Sequence, residues 1–216
     1  MRLPTRNCAD IDYPYDNYNA AAYRSAGHTR IIMKATQGNG WVNPDLEKWA
    51  ALSHRERLSV GFYHYAVPSA NAVLVEVNHF LRYAQPLIRP GDILHLDLEE
   101  GLDVMGAHDL GTWASEFLLH LKNRTKQNPI PYMDESYYDA LAGNIAVPGR
   151  QYWLAAYGDR APRVRPRDVL WGWQFTNGEV GPFPHSATGI GRCDLSLLKR
   201  SQVLADTLRS LRRRRG

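Results

Sequence analysis

Hydrophobic and polar positions along the chain follow two alternating patterns. Short runs rich in β-branched and aromatic residues are typical of strands, and most are followed by a longer segment with apolar residues at helical spacing. The predicted strands are CADI (8–11), RIIMKA (30–35), VGFYHYAV (60–67), ILHLDLEE (93–100), IPYMD (130–134), YWLAAY (152–157), VLWGWQFT (169–176) and GIGRCDL (189–195). The predicted helices cover 17–26, 45–58, 70–85, 108–126 and 135–143, with a C-terminal helix from about 196 to 211.

The alternation of strands and helices predicts the fold class. Strands separated by helices run parallel, and eight of them predict a closed α/β barrel of the TIM type. Its helical ring is incomplete, with about five helices, because the connectors between the last strands have no helical period. An open, doubly wound sheet is the alternative. The chain contains neither a glycine-rich dinucleotide motif nor a phosphate-binding loop, so no motif favours nucleotide binding.

The positive charge of the chain is concentrated at one end. The 216 residues carry a formal charge of +4, but the segment RSLRRRRG (209–216) holds five arginines. Without them, acidic residues outnumber basic residues by one. We therefore predict a single barrel domain over 1–208 and a basic tail over 209–216, and no nucleic-acid partner. No run of about 18 apolar residues predicts a membrane span, and we expect a monomer.

Carboxylates stand at the ends of three predicted strands. In barrel enzymes the residues that do chemistry lie at the C-terminal ends of the strands. The first, fourth and eighth strands end in such residues, which are Asp10 and Asp12, Asp97 and Glu99, and Asp194. Side chains alternate along a strand, so Asp97 and Glu99 share a face, with His95 one layer deeper. Closure of the barrel brings Asp10 next to Asp194.

Several acids in one pocket resist joint ionisation. At least one of them is therefore expected to keep its proton near neutral pH. A protonated acid beside an ionised one is the pair that glycoside hydrolysis requires. Clustered carboxylates also suit hard metal cations, which is the alternative interpretation. Zinc has little support, because the chain lacks an H-E-x-x-H motif and any pair of histidines four residues apart.

Eight segments, in order, resemble the motifs of glycoside hydrolase family 25, the Chalaropsis-type lysozymes found in many phage endolysins. The segments are CADID, IIMKATQG, VGFYHYAVP, LHLDLEE, IPYMDESYYDAL, YWLAAY, WGWQFTNG and GIGRCDLS. The resemblance covers nearly the whole chain and implies a barrel of eight strands and five helices. It also implies cofactor-independent hydrolysis of the β-1,4 bond between N-acetylmuramic acid and N-acetylglucosamine in peptidoglycan.

The resemblance also assigns roles to the acids. By motif position, Glu99 is the general acid. Asp97 orients the N-acetyl group of the substrate or stabilises the developing positive charge. Asp10 and Asp194 complete an acidic floor. The route to the intermediate, through a carboxylate nucleophile or the acetamido group of the substrate, stays open.

Candidate sugar contacts come from aromatic residues near strand ends. Tyr63, Tyr132, Tyr157 and Trp173 match motif positions of the family, and aromatic faces commonly stack on sugar rings. Gln37 is a further candidate, and it stands where the family motif has a glutamate. The same aromatic residues would equally fill a barrel or the seam between barrel and helices.

Location and partners follow from the implied activity. The N-terminal residues contain no apolar stretch of signal-peptide length. We therefore expect synthesis in the cytoplasm and action on peptidoglycan glycan strands after phage lysis or non-classical secretion. The arginine tail is interpreted as a solvated helix end, and the alternative is that it attracts anionic wall polymers or membrane lipids. The alternatives are a wall-binding barrel that has lost turnover and a metal-dependent hydrolase.

Overall fold

Eight strands close into a barrel in the computed structural model, which describes residues 7–15, 17–141 and 143–199. The barrel strands are Asn7–Ile11 (β1), Arg30–Gln37 (β2), Ser59–Tyr65 (β4), Ile93–Asp97 (β5), Ile130–Asp134 (β6), Gln151–Ala155 (β7), Val169–Thr176 (β8) and Asp194–Leu198 (β11). β1 pairs with β2 on one side and with β11 on the other, which closes the sheet. The predicted barrel is confirmed, and the open-sheet alternative is wrong.

Five α-helices lie between the strands in the described part of the chain. They are Ala20–Ser25 (α1), Leu46–Arg55 (α2), Val73–Ala84 (α3), Leu102–Thr125 (α4) and Glu135–Leu141 (α5), and a 3-10 turn, Gln85–Leu87, follows α3. The helix predicted over 108–126 begins earlier, at Leu102, and its backbone is non-helical at Gly106, where φ is 75°. The predicted start therefore matches the segment after this break.

The last barrel strand differs from its prediction. The segment predicted as the eighth strand, 189–195, is mostly a turn and a small hairpin of Ser186–Ala187 (β9) with Gly191–Arg192 (β10). The barrel strand is β11, which is antiparallel to both β1 and β8. Parallel neighbours usually need a crossover helix, and the connection after β8 contains none. Asp194 therefore begins the strand instead of ending it, and residues 196–198 are strand instead of helix.

Alternation along the strands builds two apolar layers. Outward residues such as Met33, Phe62 and Leu96 pack against the helices in the larger core cluster. Inward residues such as Ile32 and Trp153 fill the barrel. The apolar interior therefore supports the end of the barrel where the strands carry their polar residues.

Three further observations complete the fold. A short strand, Trp41–Val42 (β3), pairs antiparallel with the end of β2, so the glycine-rich loop forms a hairpin. No helix among the described residues is long and apolar enough to cross a membrane. Residues 200–216, which include the predicted basic tail and most of the predicted C-terminal helix, lie outside the described residues.

Candidate active site

The acids predicted from the strand ends meet at one end of the barrel. Asp10 lies near the end of β1, Asp97 ends β5, Glu99 follows two residues later, and Asp194 begins β11. All four line one cavity of about 200 Å³, together with Asp12, Lys34, Tyr63, Tyr65, Tyr132, Trp153 and Gln174. Although Asp194 lies on a strand of opposite direction, antiparallel pairing puts its start at the same end of the barrel.

A glutamine joins two of these acids. Asp10 and Asp194 are direct partners in the β1–β11 pairing. Gln174 Nε2 donates to both carboxylate oxygens of Asp10, at 3.1 and 3.2 Å, and to Asp194 Oδ2 at 3.3 Å. Its Oε1 accepts the hydroxyls of Tyr132 and Tyr157 at 2.8 and 2.9 Å. An uncharged amide therefore bridges the two acids of the floor.

The pKa values of the floor acids are raised. Burial raises the pKa of Asp10 well above its usual range, and the charges of Asp194 and Glu99 add to this, against the hydrogen bond from Gln174. Burial raises the pKa of Asp194 to about 7, with Glu99 and Asp12 contributing. The raised values agree with the expectation that a cluster of acids keeps at least one proton near neutral pH.

Asp97 is the most isolated acid of the pocket. It is buried, and no hydrogen-bond partner for its Oδ1 atom exists among the described residues. Burial raises its pKa well above the usual range, the charge of Glu99 adds to this, and Lys34 opposes it. His95 lies deeper in the barrel, where burial and the charge of Arg30 lower its pKa to about 3 and keep the imidazole neutral. A buried oxygen without a partner is free to accept a hydrogen bond from a ligand.

Glu99 occupies the mouth of the pocket. Solvent reaches its side chain, yet the surrounding walls exclude enough water to raise its pKa. The charge of Asp134 adds to this rise, whereas Tyr132 and Lys34 oppose it. Glu99 therefore combines access to a ligand with a tendency to hold its proton, as a general acid requires.

Lys34 supplies positive charge to the pocket and was not predicted. Its Nζ donates to Asp12 Oδ2 at 3.0 Å and lies 4.9 and 5.1 Å from the ring centroids of Tyr65 and Trp41. No other lysine or arginine of the described chain lines this cavity. A lysine at an inward position of an apolar strand, two residues after Ile32, was the sequence signal for it.

The sequence matches one known family over most of its length. The model for "Glycosyl hydrolases family 25" matches residues 10–182, a span that begins at the first floor acid and includes Asp97 and Glu99. The chain belongs to glycoside hydrolase family 25. The resemblance seen in the sequence motifs is thereby confirmed.

Curated relatives agree with the family 25 assignment. Lysozyme M1 of Streptomyces globisporus is 24% identical over 183 residues, which is 80% of this chain and 62% of the relative. YegX of Escherichia coli, an uncharacterised protein, is 32% identical over 147 residues, 67% of this chain and 50% of the relative. The N,O-diacetylmuramidase of Chalaropsis is 26% identical over 145 residues, 62% of this chain and 69% of the relative. The matches thus span between half and two thirds of the first two relatives.

Solved structures show the same family 25 barrel. A bacterial lysozyme from Streptomyces coelicolor superposes with a TM-score of 0.76 at 18% identity, covering 95% of this chain and 97% of the other. A family 25 glycosyl hydrolase from Bacillus anthracis gives 0.77 at 16% identity, covering 96% and 94%. Because fewer than a fifth of the residues are identical, these superpositions establish the shared fold alone.

The structure separates the predicted sugar contacts into two groups. Tyr63 and Tyr132 line the acidic pocket, and Tyr157 lines the adjoining cavity with its hydroxyl on Gln174. Trp173 lines neither cavity, because its indole nitrogen donates to the Ala156 carbonyl at 2.8 Å and its ring contacts Phe175. The pairing of β7 with β8 shifts register just before Trp173, so the direction of this side chain could not be read from alternation.

Gln37 also stands apart from the acids. It lines a separate hollow with Trp41, Val67 and Asn71, beyond the end of β2. The pairing of β2 with β4 shifts register after Lys34, so alternation from the inward Lys34 does not carry through to Gln37. Gln37 is therefore not among the residues that line the acidic pocket.

A larger cavity of about 1120 Å³ opens beside Glu99 and is named here the arginine arm. It shares Glu99 and Tyr132 with the acidic pocket and continues between α5 and the loop after β7. Its other lining residues include Asp134, Glu135, Asp139, Tyr157, Arg160 and Arg163. Motif comparison drew no attention to this loop, since it has no regular pattern.

Proposed function

We propose that this protein is a peptidoglycan hydrolase that cleaves the β-1,4 bond between N-acetylmuramic acid and N-acetylglucosamine. The observation that carries the proposal is the pocket in which Glu99, with a raised pKa, faces four further acids at the end of the barrel. Family membership and the curated names of two relatives, a lysozyme and a muramidase, support the same substrate.

Glu99 is proposed as the general acid. It lies at the mouth of the pocket, where the glycosidic oxygen of a bound glycan can approach it, and its raised pKa keeps the proton available. Transfer of this proton to the leaving oxygen neutralises the negative charge that develops there as the bond breaks.

Asp97 is proposed to support the sugar ring on the other side of the bond. In its ionised form it stabilises the developing positive charge at the anomeric carbon, and its Oδ1 can accept the N–H of the acetamido group. The charge of Lys34 favours that ionised form. Asp10 and Asp194, held by Gln174, form the floor beneath the ring.

Replacement of Glu99 tests the general acid. Glu99→Gln keeps the size of the side chain and removes the proton donor, so we expect kcat to fall about a hundredfold or more. The measurement is turbidity loss of purified cell walls, with assay of new reducing ends at muramic acid. Glu116→Gln is the matched control, because Glu116 is exposed on α4 and does not line the acidic pocket.

The same assay distinguishes the alternatives. If the parent binds walls but releases no reducing ends, the protein is a wall-binding barrel and the hydrolase proposal fails. If EDTA abolishes cleavage, a metal-dependent hydrolase replaces it. Among the described residues, no three His, Cys, Asp or Glu side chains are placed to share one metal ion.

We further propose that the protein acts as a lytic enzyme on the wall of a bacterium. Endolysins have the same barrel, including the catalytic domain of ply40 from a Listeria phage, with a TM-score of 0.73 at 19% identity. Expression inside a bacterium together with a phage holin tests this role. Lysis that requires both the holin and Glu99 is the expected result, and lysis that is unchanged with Glu99→Gln contradicts it.

A further inference from the structure

The arginine arm begins at the residue that we place at the bond to be cleaved. Glu99 and Tyr132 line both the acidic pocket and the arm, so a ligand in the pocket can extend into the arm without leaving the protein surface. A volume of about 1120 Å³ is large for a side branch of a site. The arm therefore has room for a substituent of the ligand.

Two acidic residues of the arm, Asp134 and Glu135, are already engaged by the protein, whereas Asp139 is exposed. Asp134 Oδ1 accepts the Ser136 hydroxyl at 2.7 Å and the backbone N–H of Tyr137 at 2.8 Å. Glu135 Oε1 accepts the backbone N–H of Arg163 at 3.2 Å, which ties the loop to the arm. These carboxylates therefore have local structural roles.

The two arginines of the arm are free. Both Arg160 and Arg163 are exposed, and within the described ranges neither guanidinium makes an ion pair or a hydrogen bond. Other arginines of the same part of the chain are engaged, such as Arg150 with Asp168 at 2.8 Å. Two uncommitted guanidinium groups at one cavity favour a ligand with carboxylates, which they can bind in a bidentate manner.

We propose that the arginine arm binds the peptide carried by the muramic acid unit at the cleavage site, with Arg160 and Arg163 contacting peptide carboxylates. This inference rests on the proposed function. Muramic acid bears its peptide on a short lactyl ether, so the peptide of a unit next to Glu99 begins within a few bonds of the mouth of the arm. Neutral N-acetylglucosamine offers no group that requires two arginines. The arm would then make the enzyme prefer glycan strands that retain their peptides.

The test compares kcat/KM of the full chain on three preparations of the same glycan strands. One retains its peptides, one has lost them to an amidase, and one has its peptide carboxylates converted to amides. We expect the parent to favour the peptide-bearing strands, and the amidated strands to behave as the peptide-free ones. Arg160→Gln and Arg163→Gln should each lower the ratio of peptide-bearing to peptide-free kcat/KM by about threefold.

Arg167→Gln is the matched control. Arg167 lies in the same basic loop and is exposed, but it does not line the arm, so its replacement should keep the parental ratio. Equal cleavage of the three preparations by the parent overturns the inference and leaves the hydrolase proposal intact. Parental ratios in both arm variants overturn it as well. Failure of the parent to cleave any preparation defeats both proposals.

Discussion

At the scale of single residues, the pocket depends on the balance between five acids and one lysine. Burial makes ionisation of Asp97 costly, and the neighbouring Glu99 adds to that cost. Lys34 acts in the opposite direction on the pKa of both acids. Because its Nζ also pairs with Asp12 at 3.0 Å, the ammonium group is held at the edge of the pocket. Lys34 therefore lowers the pH at which Asp97 and Glu99 ionise, against the larger effect of burial.

Replacement of Lys34 should move the pH profile of activity upward. Lys34→Met removes the positive charge that lowers the pKa of Asp97 and Glu99, so both pKa values rise. Ionisation of Asp97 then requires a higher pH, which shifts the acidic limb of kcat/KM upward. Glu99 keeps its proton to a higher pH, which shifts the basic limb in the same direction. The measurement is the pH profile of kcat/KM on cell walls, from about pH 3 to about pH 9.

Lys48→Met is the control for this experiment. Lys48 is an exposed residue of α2 that pairs with Asp45, just before the helix, and it does not line the pocket. Its replacement should leave both limbs in place. An unchanged or downward-shifted profile for Lys34→Met would contradict the role of Lys34.

At the scale of elements, a buried polar chain joins two barrel strands to α3. His64 on β4 bonds Thr36 on β2 through Nδ1 and Glu76 on α3 through Nε2, both at 2.8 Å. Glu76 also accepts the backbone N–H of Val67 at 3.2 Å and Nδ2 of Asn71 at 2.8 Å. Burial lowers the pKa of His64, although Glu76 opposes this. The helix is thereby fixed on the barrel next to the strand ends.

Loss of Glu76 should destabilise the fold. Glu76→Ala leaves His64, Val67 and Asn71 without their acceptor in a fully buried place, and we expect the free energy of unfolding to fall by about 3 kcal/mol. Urea unfolding followed by circular dichroism measures the change. Glu116→Ala, on the exposed side of α4, should change stability by no more than about 0.5 kcal/mol. Equal stability of both variants would show that the polar chain contributes nothing.

At the scale of the whole molecule, β11 completes both the barrel and the site. It pairs with β1 and β8, and its Ser196 hydroxyl accepts the indole N–H of Trp153 at 2.8 Å inside the barrel. The same strand begins with Asp194, which reaches the acidic floor. The strand that closes the sheet therefore also supplies one acid of the floor.

The arginine tail belongs to this scale as well, since we propose that it adds wall affinity beyond the cleft. Deletion of 209–216 removes five arginines. We expect weaker co-sedimentation of the Glu99→Gln protein with cell walls at low salt, and little difference at high salt, where the charges are screened. Replacement of the five arginines by glutamine controls for the length of the chain. Equal binding of the parent and deletion proteins at low salt would refute the proposal.

The sequence by itself determined most of the strands, the barrel class and the main acids. Strand patterning is a local property, because successive side chains of each segment point to opposite faces whatever the rest of the chain does. Carboxylates at the ends of such segments could therefore be assigned to one end of a barrel. This holds for Asp10 and Asp97, whose neighbours along the chain fix both their strand and their face.

Only the tertiary structure decided how the barrel closes and what surrounds the acids. The reversed direction of β11 follows from its pairing with β1 and β8, which are distant in sequence. The bridge by Gln174 and the exclusion of Trp173 from the cleft depend on register shifts in the strands, which alternation cannot reveal. The arginine arm lies on an irregular loop, where no period links sequence to direction. Contacts between distant segments are set by packing of the whole barrel, and local patterns carry no information about them.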